Sequence, residues 1–392
     1  MTRRKVFYVF LSAVILSLIA IFVIEIIKAP YDIMVPAKVD WRESSATLNG
    51  PVISLAQNST KKNVIYAVTQ NAFYISDNFG VSFRKVFTVR PKDRRDMPNL
   101  VFHRVNFAPA FRTVYFALCE QNKDMLFAYN CSDKSVKKVF EANFPITDIE
   151  NGPNNRSVIF ATYGEGIYRI GNSNHIKAKQ IVKFKDISRF YFTSVACLQD
   201  GRIVAGFVGN PKDAPLPLVI SNKNGYFDWE YIYAKITDAD NILFNVNSVY
   251  CVRPAQDGIY ISTSSSSAPI LFTRNGTDFS VVERIRKIFF PQTGIRYIQP
   301  ANKYEGIFFT EDFVDDSKGY SNILSNGVCF IRPEEKSPVV RISPPNENKE
   351  DSSTKGITAF LVLPSKNTII TVKGNKLYYA HFTKELLLSG GI

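Results

Sequence analysis

Val64-Ile-Tyr-Ala67, Val114-Tyr-Phe-Ala117, Val158-Ile-Phe-Ala161 and Ile203-Val-Ala-Gly206 are four copies of one short apolar strand that ends on a small residue. Looser copies follow at Ile259-Tyr-Ile-Ser262, Ile307-Phe-Phe-Thr310 and Ile369-Ile-Thr-Val372, giving a mean spacing of about 51 residues. Recurrence at that period marks units that bury their faces only against their neighbours. Each copy has a strand before it, as in Ile146-Thr-Asp-Ile149 and Val249-Tyr-Cys-Val252, and one after it, as in Phe73-Tyr-Ile75. A weaker fourth strand often follows, for example Phe83-Arg-Lys-Val-Phe87 and Gln180-Ile-Val-Lys-Phe184.

Four antiparallel strands per unit and seven units predict an all-β, seven-bladed β-propeller. A solenoid or a pair of β-sandwiches is the competing architecture, but sandwich strands would not hold one triplet order at a near-constant period. The small fourth positions fit strands that converge on the axis. Ile33–Val39 precedes the first unit, and the seventh lacks a sure fourth strand, so this segment is expected to enter the seventh blade and close the ring. Residues 33–50 are thus a linker carrying a candidate ring-closing strand.

The N-terminus reads as a separate element. Arg3, Arg4 and Lys5 precede a 19-residue uncharged run, Val6–Ile24. As a helix this run would extend about 28 Å, close to a bilayer's hydrocarbon thickness. Glu25 and Lys28 mark its far end, where a cleavable signal peptide would carry small residues. The expected order is a cytoplasmic tail over 1–5, one transmembrane signal anchor over 6–27, and an exoplasmic propeller over 28–392. That propeller would be extracellular, luminal or periplasmic.

The net charge of +13 is mostly carried by the domain, since residues 1–28 contribute +3. A basic globular surface favours acidic partners such as glycans, headgroups or acidic proteins. Nucleic acid is excluded for a domain outside the cytoplasm. Five cysteines form no close pattern. A hairpin turn near Asn122–Asp124 would set Cys119 opposite Leu126 and leave Cys131 out of register. Cys197 and Cys251 occupy matching strands of successive units. Sequons beginning at Asn58, Asn130, Asn155 and Asn275 are glycosylation candidates in a compartment that uses them.

The turns after the third strand carry a second signature. Ser76-Asp-Asn78-Phe-Gly80-Val-Ser82-Phe83 resembles the Asp-box of BNR-repeat propellers, Ser-x-Asp-x-Gly-x-Thr-Trp. Ser221-Asn-Lys-Asn224-Gly225 with Trp229, and Thr273-Arg-Asn275-Gly276-Thr-Asp-Phe279, look like altered copies at the same place in their units. Such a box staples the turn: a short polar side chain and an Asp or Asn bond its backbone, glycine takes a positive φ, and the aromatic packs inward. The resemblance covers three turns and the repeat. It implies the fold of sialidase-like and sortilin-like propellers, and their function only weakly.

A sialidase-like site needs three arginine forks on a carboxylate, a Tyr–Glu nucleophile pair and an Asp acid/base. The usual Phe/Tyr-Arg-Ile-Pro stretch is missing before the first unit. Arg104, Arg189 and Arg296 fall at or just before first strands, with Tyr191 and Tyr297 nearby. They are candidate anion-binding residues at a funnel mouth, or rim residues paired with acids. His103, His175 and His381 lie in separate units without metal-ligand spacing, and neither a metal nor a cofactor is expected. The long connections, among them Arg90–Pro98 with Arg94 and Arg95, Gly209–Pro217, Glu311–Asn326 and Ser343–Gly356, all emerge on one face of a propeller. That face is the expected docking surface for a protein or an acidic glycan. The expectation is a non-enzymatic recognition module, a sortilin-like receptor or an assembly factor, with a diverged sialidase-like glycosidase as the alternative.

Overall fold

In a computed structural model, the described residues are 12, 14–20, 34–45, 48–90, 102–171, 177–182, 191–209, 216–222, 225–232, 235–236, 246, 248–264, 269–283, 293–315, 322–333, 339–342, 357–373 and 376–389. They form seven sheets in chain order, spanning 52–88, 105–142, 146–180, 191–231, 249–283, 293–342 and 357–381. Each is built on four antiparallel strands, as the repeat predicts, and blade five takes a fifth, Lys235–Ile236, parallel to the start of Asp278–Glu283. First strands pack on the first strands of adjacent blades, including Ile357–Leu363 against Val52–Gln57, so the ring closes on itself.

The first strand of each blade is therefore the innermost, and the strand ending in a small residue lies second. Small residues there serve blade-to-blade packing and not convergence on the axis. A Cβ on Gly206 would lie 2.3 Å from Val249 Cγ1 of the next blade. Ala67, Ala117 and Ala161 are likewise buried in clusters shared between two blades.

Ring closure differs from the expectation. Met34–Ala37 pairs in parallel with Val339–Ile342, adding a fifth strand to blade six. The seventh blade instead takes its fourth strand from Arg42–Glu43, antiparallel to Lys376–His381. One N-terminal segment thus stitches two blades together. The expected outer strand Gln180–Phe184 also shifts, to Ala178–Gln180, because Ile181 and Val182 are buried in the interface with blade four.

Two faces follow from the topology. The turns joining first to second and third to fourth strands share one face, which we call the turn face. Across it, Arg202 Nη2 donates to the Asn275 carbonyl at 2.6 Å, and Lys366 Nζ lies 4.9 Å from the Phe79 ring centre. Second-to-third turns and the strand ends where one blade passes to the next lie on the opposite loop face, though Lys235–Ile236, between blades four and five, reaches back to the turn-face end.

Three first-to-second turns are short 3-10 turns followed by a left-handed residue: Pro109–Phe111 with Arg112, Asn302–Tyr304 with Glu305, and Pro364–Lys366 with Asn367. Adjacent turns are bonded to each other. Lys303 Nζ and Tyr304 Oη reach Asn367 Oδ1 at 2.8 and 2.7 Å, and Gln199 Nε2 donates to the Gln256 carbonyl.

In the Ser76 turn, Ser76 Oγ accepts from Gly80 N at 2.9 Å and Asn78 Oδ1 from Ser82 N at 3.0 Å. Gly80 has φ +86° and approaches Ile370 of blade seven so closely that a Cβ would lie 2.6 Å away. Phe83 packs into the cluster shared with that blade. The Thr273 turn repeats the scheme. Asn275 Oδ1 accepts from Thr277 N and Asp278 N, Gly276 has φ +78°, and Phe279 is buried. The Ser221 turn does not, since Ser221 Oγ accepts from Ile203 N of its neighbouring strand and Asn222 pairs with Gly225.

At the N-terminus, Ser12 and residues 14–20 are helical, with Val14, Ile15, Leu16, Leu18 and Ile19 all exposed. Among the described residues no helix is long and apolar enough to cross a membrane, and most of the expected span lies outside them. All five cysteines are free thiols; Cys119 faces Asp124, not Leu126, because the turn is the tight Gln121–Asn122 pair.

Candidate functional site in the central channel

Six first strands carry a bulge near the loop-face end. The register slips between Val52 and Ser54, Ile146 and Asp148, Phe192 and Ser194, Val249 and Cys251, Ile295 and Tyr297, and Ile357 and Ala359. A bulge inserts one residue and re-aims the side chains beyond it. Here it brings Asp148, Ser194, Cys251 and Tyr297 of blades three to six into one buried cluster.

The bulged residues fasten neighbouring blades. Thr147 Oγ1 donates to Phe192 O at 2.9 Å, and Thr193 Oγ1 to Val249 O at 2.6 Å.

Arg253, two residues beyond Cys251, is the hub of the cluster. Its Nη1 donates to Asp148 Oδ2 at 2.9 Å, to Ser194 Oγ at 3.2 Å and to Val252 O at 2.7 Å. Asp148 Oδ2 also accepts from Val195 N at 2.9 Å and from the Ser194 hydroxyl. The aspartate, serine and arginine come from three successive blades, so the network locks blades three, four and five.

Glu150, Asn106, His103 and Tyr297 surround this hub. Burial pushes the Glu150 carboxyl up to about 7, although Arg253 favours its ionised form. Asn106 lies beside it and lowers it slightly, yet Asn106 Nδ2 makes no hydrogen bond to the described residues. His103 is held well below the ordinary imidazole range by burial and then by Arg253, so it is neutral. Its ring stacks on Tyr297 at 4.5 Å, and burial raises the Tyr297 phenol. The Cys251 thiol is pushed up to about 11, again by burial, and is not a thiolate at neutral pH.

Among the described residues no group of three or more His, Cys, Asp or Glu could hold a metal ion. The cluster pairs charge internally and leaves Glu150 as a group that titrates near neutrality.

The residues singled out from sequence distribute unevenly. Arg104 is fully buried, its guanidinium bonded to Asp124, whose Oδ2 also accepts from Ile146 N of blade three at 2.7 Å. It is an internal blade connector and no part of a rim. Tyr191 is 41% exposed on the loop face, its ring 4.7 Å from that of Tyr163. Arg94, Arg95 and Arg189 lie outside the described residues, as does the side chain of Arg296, the bulged residue of blade six.

Of the sequons, Asn58 is buried with its Nδ2 donating to Tyr66 Oη at 2.7 Å. The Asn130 and Asn275 amides donate to Asp133 and Asp278. Asn155 is exposed on the turn face.

Sequence reasoning passed over Asp148, Glu150, Ser194 and Arg253. A partial signal was there: Glu150 and Arg253 stand at a first-strand position that Ala56, Ala196 and Leu361 fill in blades one, four and seven, whereas Asp148 shares its position with Ser54 and Ser194 and does not stand out.

No family model and no curated protein sequence matches the chain. Solved structures share the fold. The β-propeller domain of Cps50 (Swd1) from Myceliophteria thermophila matches with a TM-score of 0.59 and 11% identity, over 88% of this chain and all of that one. The extracellular domain of a hybrid two-component system from B. thetaiotaomicron matches at 0.57 and 11% identity, over 88% of this chain and 42% of that one. YCF48 bound to D1 peptide matches at 0.54 and 10% identity, over 89% and 98%. At such identities the likeness concerns the fold alone.

Proposed function

We propose that this propeller is a non-enzymatic recognition module of the Asp-box kind, held at the exoplasmic side of a membrane by residues 6–27, and that its loop face takes a protein ligand. The observation that carries the reading is the asymmetry of the two faces. Turn-face connections between first and second strands are short and bonded from blade to blade, whereas the strand ends on the loop face are separated by the long stretches 89–104 and 343–356. Length concentrated on one side of a rigid ring is what a docking surface requires.

Several observations support the parts of this reading. The apolar side chains exposed on the 14–20 helix support attachment to a membrane. YCF48, a propeller of the same fold, is known with a bound peptide, which favours a protein ligand. The net charge of +13 keeps an acidic glycan as the second ligand class.

A glycosidase of the sialidase kind would need free guanidinium forks at one site. Arg253 and Arg104 both commit theirs to buried aspartates.

The test is capture by photo-crosslinking on the full chain in detergent, comparing wild type with Arg94→Glu/Arg95→Glu. Capture that is unchanged by the double substitution removes this face as the docking surface. Release of a fluorogenic sialoside by the wild-type chain would end the non-enzymatic reading.

A further inference from the structure

The membrane-anchored reading leaves open which side of the ring meets the bilayer. Two independent features of the turn face decide it. The first is where the chain enters. Met34 pairs with Val339, the residue at which the fourth strand of blade six begins after its third-to-fourth connection. The chain therefore joins the ring at the turn-face end of blade six. It runs toward the loop face only afterwards, since Ala37 pairs with Ile342. From Lys28, the far end of the apolar run, to Met34 is six residues, which span at most about 20 Å.

The second feature is charge. The seven first-to-second turns lie entirely within the described residues. They carry seven cations, among them Lys61, Lys62, Arg112, Arg156 and Lys366, against the three carboxylates of Asp200, Asp257 and Glu305. Lys61, Lys62, Arg112, Arg156 and Lys366 are all exposed. Each cation near an anionic lipid surface is attracted to it, and the attraction decays within a Debye length. A tether of this reach keeps the face within about two Debye lengths of the surface, close enough for headgroup charge to draw it in.

We propose that the turn face rests on the anionic headgroups of the membrane that holds the chain's own anchor, so that the loop face points away from the bilayer. The proposal rests on the anchored reading. It assigns the two faces separate tasks: one seats the ring on lipid, and the other stays open to a partner from the aqueous side. The knit of the turn face suits the first task, since its turns are braced against each other and do not have to rearrange around a ligand.

The test is lysine footprinting of the full chain. Wild-type protein in lipid nanodiscs containing phosphatidylglycerol, and in neutral detergent micelles, is acetylated with a water-soluble reagent and each site is read by mass spectrometry. Lys61, Lys62 and Lys366 report on the turn face; Lys123 and Lys376, which flank second-to-third turns, report on the loop face. Acetylation of the turn-face lysines should slow by about threefold or more in the discs, with the loop-face pair unchanged.

Slowing at Lys123 and Lys376, or equal rates everywhere in discs and micelles, overturns the orientation. Chain that elutes apart from the discs sinks the anchored reading, and this proposal with it. Chain that stays in the discs with unprotected turn-face lysines sinks the orientation alone. Lys61→Gln/Lys62→Gln should weaken the protection of Lys366 without releasing the chain from the discs. Undiminished protection in that variant would show that lipid charge does not seat the face.

Discussion

The seam between blades one and two is filled with rings, while the seams joining blades three, four and five add charge and hydroxyl bonds between their innermost strands to their apolar packing. In the first, Phe73 stacks on Phe116 at 4.1 Å, Phe127 lies against both Phe116 and Phe87, and Tyr66 faces Phe107. In the second, Asp148, Ser194 and Arg253 bond across three blades. Both seams join neighbouring blades of one repeat, so the fold itself requires neither solution. The aromatic seam draws on burial, which is non-directional and tolerates small shifts. The polar seam draws on geometry, and it is stable only while every member has its partner.

The sharpest way to expose that contrast is to break each seam once and then twice. Arg253→Met leaves Asp148 buried without its counter-charge and should cost about 3–5 kcal/mol in urea unfolding. Adding Asp148→Leu removes the stranded charge and should recover at least half of that loss. In the aromatic seam, Phe116→Ala opens a cavity and should cost about 3–5 kcal/mol as well. There a second truncation, Phe73→Ala, should deepen the loss rather than relieve it. Rescue in the aromatic seam, or none in the polar one, would erase the distinction.

A smaller effect separates the seams by pH. The folded-state value of Glu150 is raised from 4.5 to about 7 by burial. Its contribution to stability is therefore intact below the unfolded value, and is lost as the pH rises through the folded one. Wild type should weaken between about pH 4.5 and 7, by about 1–3 kcal/mol. Glu150→Gln should flatten that slope and be the more stable protein at pH 8. The loss caused by Phe116→Ala should be the same at both ends of the range. An unchanged slope in the glutamine variant would mean that Glu150 is already solvated.

How far these seams could be read in advance differs for the same physical reason. The aromatic seam is foreshadowed by Val64-Ile-Tyr-Ala67, Phe73-Tyr-Ile75 and Val114-Tyr-Phe-Ala117, because apolar strands at a fixed period can only face their neighbours. The Ser76 and Thr273 turns were legible too, since their bonds are local. The polar seam was not, because a bulge decides where Asp148 and Ser194 point, and a one-residue slip leaves no mark on a hydrophobic pattern. Arg104 misled for a related reason. Its partner Asp124 stands on another strand of the same blade, and sequence distance conceals the pairing. Ring closure by Arg42–Glu43, in place of Ile33–Val39, turned on two residues too few to carry any periodicity.

The smallest expected effect bears on the hydroxyls that accompany the charges. Thr193 is buried, and its Oγ1 lies 3.1 Å from Gly206 O within its own blade and 2.6 Å from Val249 O in the next. Thr193→Val keeps the branched shape and removes the donor, leaving two carbonyls that each retain a second site for bonding. The cost should be about 1 kcal/mol, the usual net worth of one neutral hydrogen bond. Its counterpart, Tyr66→Phe, deprives the buried Asn58 amide of its acceptor and should cost about 1–2 kcal/mol, since an orphaned buried donor is worse than a thinned carbonyl. Urea unfolding of the two variants ranks them. If Thr193→Val proves the more damaging, the threonine contributes to the inter-blade bulge geometry itself, and the polar seam depends on its bulges as much as on its ion pair.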